Sequence, residues 1–129
     1  MYLRFVCSRV DEDSHRRLGV FQAAFHLLES DVVIEGEDRA AVRRVLDWFN
    51  ENLVKPERLS RSRKVNAAPK AISWYRETAH DYIRRMHDLC ALLDKYGIAT
   101  HLIRCDRPGM IVFEDDHQIA AVPFRDTPT

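Results

Sequence analysis

The period of the apolar residues changes along this chain, and that change restricts the fold more than any other feature. In three stretches between residues 14 and 96 apolar side chains recur every third or fourth position, whereas between residues 99 and 123 they alternate. Helical spacing followed by strand spacing lays apolar stripes on two kinds of element, which is the signature of an α+β protein.

The first helix is expected from about Ser14 to Glu29. Ser14 serves as its N-cap after the acidic run Asp11-Glu12-Asp13, and Leu18, Phe21, Phe25 and Leu28 lie on one face. Val20, Ala24 and Leu27 widen that face to about half the circumference, so the helix reads as packed on two sides. A second helix is expected from about Glu37 to Leu53, with Val42, Val45, Leu46, Phe49 and Leu53 on one stripe and Pro56 beyond its end. A third runs from Pro69 to Tyr96 on Ile72, Tyr75, Ala79, Tyr82, Ile83, Met86, Leu89, Cys90 and Leu93, closed by Gly97.

Residues 2–6, with Leu3 and Phe5 on one face, read as a strand. Residues 99–105, 110–114 and 118–123 read as a three-stranded antiparallel meander, divided by Asp106-Arg107-Pro108-Gly109 and by Asp115-Asp116-His117. The expected order is β-α-α-α-β-β-β, a small antiparallel sheet of the meander plus the N-terminal strand, covered by three helices. At 129 residues the chain suits one domain, residues 1–129.

Lysine and arginine together number 20, as do aspartate and glutamate, so no net field draws the whole protein to nucleic acid or to an acidic surface. Attraction of that kind has to be local. No apolar run approaches the roughly 20 residues needed to span a bilayer, and residues 1–6 alternate instead of forming an export signal. Cys7, Cys90 and Cys105 are odd in number, widely spaced and set in apolar segments, which is the usage of a reducing compartment. The expectation is a cytoplasmic protein without a membrane segment.

Two stretches carry a resemblance: Leu46-Asp47-Trp48-Phe49-Asn50-Glu51-Asn52-Leu53 with Pro56-Glu57-Arg58, and Arg107-Pro108-Gly109-Met110-Ile111-Val112-Phe113-Glu114-Asp115-Asp116-His117-Gln118. Together they resemble a family of small bacterial proteins of unknown function, similar in length and in order of elements. The resemblance implies a bacterial cytoplasmic setting and lends no residue a role.

Charge is uneven in one place. Residues 55–70 hold Lys55, Arg58, Arg61, Arg63, Lys64 and Lys70 against the single acid Glu57. On the expected third helix Trp74 points away from the apolar stripe, so Arg58, Arg61, Arg63, Lys64, Lys70, Trp74 and Arg76 form a candidate surface for phosphates or carboxylates, with the indole as a stacking platform. Such a run equally serves as a solvated loop, and it matches no recognised nucleic-acid fold.

A second candidate lies on the flank of the third helix, where Arg76, His80, Arg84 and His87 recur at helical spacing and offer anion anchors and an acid-base group. Arginine and histidine also border apolar helix faces without any chemistry. The acidic run Glu114-Asp115-Asp116-His117 has oxygen and nitrogen donors, but neighbouring residues of a tight turn diverge, so no metal is expected there. Phosphate loops, nucleophile elbows, Cys-x-x-Cys pairs and His-Glu-x-x-His helices are all missing, and no cofactor is expected.

The reading these residues favour is a non-catalytic accessory or interaction protein that meets an anionic protein or nucleic acid through residues 55–76. Two alternatives stay open: a small enzyme using His80 or His87, and a structural homo-oligomer joined at sheet edges.

Overall fold

The computed structural model describes residues 1–10, 17–54 and 71–129. Among them are the strands β1 (Tyr2–Val10), β2 (Arg17–Gly19), β3 (Ile72–Arg76), β4 (Thr100–Cys105), β5 (Met110–Glu114) and β6 (Gln118–Val122). The helices are α1 (Val20–Glu29), α2 (Gly36–Asn52) and α3 (His80–Lys95). The α+β class is therefore as expected. Strand neighbours run β2-β1-β3-β6-β5, and β4 also pairs with β1. The chain divides into two compact units, one of Met1–Arg4, Val54–Ile83 and Ile103–Thr129, the other of Phe5–Leu53 and Arg84–Leu102.

In the first unit β3 lies antiparallel between β6 and the start of β1, with Trp74 opposite Ile119 and Leu3 opposite Tyr75. This corrects the expected third helix, which begins at His80 and not at Pro69. Ile72, Tyr75 and Ala79 fit a helical stripe, but Ile72 and Trp74 buried around an exposed Ser73 is strand alternation, in a segment rich in residues that favour strands. Pairing with β6 satisfies the backbone and packs Ile72 and Trp74 against Ile119 and Ala121. Ala120, Val112 and Phe113 form a separate apolar cluster, so β6 is buried on both faces instead of one.

The expected meander is also corrected. β5 and β6 form its hairpin, but β4 pairs with β1 and not with β5. The connection from β4 carries Pro108, which is buried, and Gly109 at φ +147°, so it lacks the two-residue turn that would fold β4 onto β5. A Cβ at position 109 would collide with the Val122 carbonyl, which is why glycine stands where β5 starts beside the end of β6.

In the second unit α1 starts at Val20 with Gly19 as its N-cap, because Arg17–Gly19 is a strand paired with β1. Ser14, the expected cap, lies outside the described residues. Val20, Ala23, Ala24 and Leu27 are the buried face; Phe25, expected inside, is 51% exposed. α2 buries Val42, Leu46 and Phe49 as its spacing requires, and Phe49 meets Phe21 edge-on with centroids 4.9 Å apart. Gly97, at φ +82°, ends α3 as expected: its N–H donates to the Asp94 carbonyl and that of Ile98 to Leu93, a Schellman closure.

Trp74 provides a direct test of the sheet assignment. Trp74→Ala should lower the unfolding free energy by about 3–5 kcal/mol in urea titrations, as for a large core truncation. A change within about 0.5 kcal/mol would mean a surface position and contradict strand β3.

Candidate binding groove

Helices α2 and α3 run antiparallel, because Asp38 at the start of α2 meets the end of α3 while Trp48 near the end of α2 meets Arg85. Four groups make the first contact. The Asp38 carboxylate accepts hydrogen bonds from Lys95 Nζ at 2.8 Å and from the Tyr96 hydroxyl at 2.6 Å, and Lys95 also reaches Glu35 at 3.3 Å. The Tyr96 oxygen in turn accepts the Glu35 backbone N–H. At the other contact the Arg85 guanidinium carbon lies 4.0 Å from the centroid of the Trp48 ring, within cation–π range.

Between these contacts is a cavity of about 830 Å³ lined by Ala41, Arg44, Val45 and Trp48 from α2 and by Arg84, Arg85, Asp88, Ala91 and Leu92 from α3. Its α2 wall is a second stripe, rotated from the buried Val42, Leu46 and Phe49 by one residue. Alanines on both helices leave space at the floor, and Val45 and Leu92 are only half-buried. Arg44 and Asp88 form no ion pair among the described residues, and the lining combines Arg44, Arg84 and Arg85 with Asp88.

The residues singled out in the sequence are dispersed. Arg58, Arg61, Arg63, Lys64 and Lys70 lie outside the described residues. Trp74 is 1% exposed in β3 and offers no stacking face; its Nε1 has no hydrogen-bond partner among the described residues. Arg76 is engaged within the sheet unit: Nε donates to the Asp115 carbonyl at 2.9 Å, and Nη2 lies 3.1 Å from Glu114 Oε2. Of the helix flank, Arg84 lines the groove, while His80 and His87 do not; His87 packs edge-on against Phe5 at 5.0 Å.

Other chemistry is occupied structurally. Asp115 Oδ1 accepts the backbone N–H groups of His117 and Gln118, so the acidic run builds the β5–β6 turn, and the His117 ring stacks on Tyr82 at 4.5 Å. No group of three or more His, Cys, Asp or Glu among the described residues is placed to hold a metal ion. Burial pushes the Cys7 thiol up to about 11, with Cys90 adding to the rise, and burial also raises Cys90. Both thiols are protonated near neutral pH and are poor nucleophiles.

Sequence reasoning missed this groove because it placed Val45 in the buried stripe and left Trp48 unassigned. The available signal was Ala41, Val45 and Trp48 at i, i+4 and i+7, beside Arg44. Among the described residues no helix is long and apolar enough to cross a membrane. Compared with protein-family models, curated proteins and solved structures, the chain matches none.

The Lys95 and Tyr96 hydrogen bonds hold the Asp38 carboxyl below its usual range, and Asp38 in turn raises Lys95 and Tyr96. A depressed carboxyl stabilises the fold above its unfolded value, about 3.9, and loses that contribution as pH falls through the lower folded value. The Tm difference between the native protein and Asp38→Asn should therefore shrink as pH drops below about 4. A difference that stays constant down to pH 2 would show that the clamp does not depend on the charge of Asp38.

Proposed function

We propose that this protein is a small non-catalytic interaction module that binds an anionic partner in the groove between α2 and α3. What carries the reading is the placement of Arg44, Arg84 and Arg85 around an apolar floor with Asp88 as the only carboxylate in the lining. Guanidinium groups suit carboxylates and phosphates through their paired donors, and an apolar floor excludes water from those contacts. The basic residues Arg58, Arg61, Arg63, Lys64 and Lys70 favour the same class of partner. Free Cys7, Cys90 and Cys105 support a reducing, cytoplasmic setting.

Binding of fluorescein-labelled poly-glutamate, followed by anisotropy across a salt series, tests this. Arg44→Glu with Arg84→Glu should weaken binding about tenfold or more and flatten its salt dependence. Unchanged affinity in that variant, with loss in an Arg58, Arg61, Arg63→Ala variant, would move the site out of the groove.

A second reading is self-association at β5. Among the described residues this strand pairs only with β6, and Met110 and Ile111 are exposed on it. Sedimentation velocity should then show a dimer that Ile111→Lys returns to monomer; monomer alone over a wide concentration range would remove this reading.

A further inference from the structure

Resting on the anion-binding reading, we propose that the occupant of the α2–α3 groove is an acidic amphipathic helix of a partner protein. The lining residues span positions 41–48 of α2 and 84–92 of α3, a length of about 10–12 Å at helical rise. Two turns of a docked helix cover that length and present side chains at i, i+3, i+4 and i+7, the spacing by which helices are read in grooves.

The floor and walls call for different chemistry from the occupant. Ala41, Val45, Ala91 and Leu92 gain by burial only against apolar side chains, which a phosphate backbone lacks. Ala41 falls opposite Leu92 in the antiparallel register set by the Asp38–Lys95 and Trp48–Arg85 contacts, so apolar floor residues of the two helices stand side by side. Arg44 stands on one wall and Arg85 on the other, which matches carboxylates on both flanks of an apolar stripe. Asp88 breaks the pattern and favours one lysine on the partner, which would set the direction of docking.

Nucleic acid fits less well. Arg85 already covers one face of Trp48 at 4.0 Å, and Trp74 is buried in β3, so less indole surface is open to a base. At Trp48 the same stacking orders the Arg85 guanidinium before a partner arrives, which lowers the entropic cost of pairing it with a carboxylate.

The test uses the full chain and three labelled probes: a designed helical peptide of about 18 residues with leucines at i, i+3, i+4 and i+7 flanked by glutamates, a scrambled peptide of the same composition, and a thymidine oligonucleotide. The patterned peptide should bind at least about tenfold more tightly than the scrambled one. Ala91→Gln, which puts a polar side chain on the floor at an exposed position, and Arg44→Glu should each weaken it about fivefold or more while leaving the circular dichroism spectrum and Tm unchanged. Equal binding of both peptides, lost in Arg44→Glu, would overturn the helix as occupant and leave the anionic reading standing. Oligonucleotide binding lost in Arg44→Glu, without peptide binding, would do the same. If no probe bound, both readings would fall together.

Discussion

Backbone pairing of Ile72–Tyr75 with Gln118–Ala121 decides more about this protein than any single side chain. Once residues 72–76 lie in a sheet, Trp74 faces Ile72, Ile119 and Ala121 and has no exposed ring to offer. Arg76 falls beside the β5–β6 hairpin, where Glu114 and the Asp115 carbonyl hold it. A helix through the same residues would bury one stripe and leave Trp74 in solvent; a strand with Ile72 and Trp74 on its buried face cannot. The hydrogen bonds of the ladder and the burial of an indole act in the same direction, which is why the sheet prevails over a weak helical pattern.

Helix α3 is thereby shortened to His80–Lys95, and two of its contacts with α2 stand near opposite ends of the pair. One is a hydrogen-bonded cluster of charged and phenolic groups, the other an arginine on a tryptophan. Neither needs the helices to interdigitate along their whole length. Between them small residues, Ala41 and Ala91, leave space that larger ones would have filled, and arginines rise on either side because their stems cover apolar surface while their heads reach water.

Several titratable groups are engaged in the packing of the fold. Cys7 and Cys90 are buried thiols with raised pKa values, Asp115 is used to close a turn, and His87 lies against Phe5. The groove combines charged side chains with an apolar floor.

Periodicity in the sequence determined the class, the course of α2, the end of α3 at Gly97 and the strand character of residues 110–122, because each of these is set by spacing within one segment or by a residue with special backbone freedom. It failed at residues 72–76, where Ile72, Tyr75 and Ala79 satisfy helical spacing and Ile72 and Trp74 satisfy alternation equally. It failed again at β4, since alternation specifies a strand but not its neighbour: β1 in place of β5. The groove is legible only in part, as Ala41, Val45 and Trp48 on one helix, because Arg84 and Arg85 meet that stripe through a packing of two distant segments. Tertiary structure alone decided which arginines share a cavity, for the physical reason that local spacing orients a side chain about its own element and says nothing of what stands opposite.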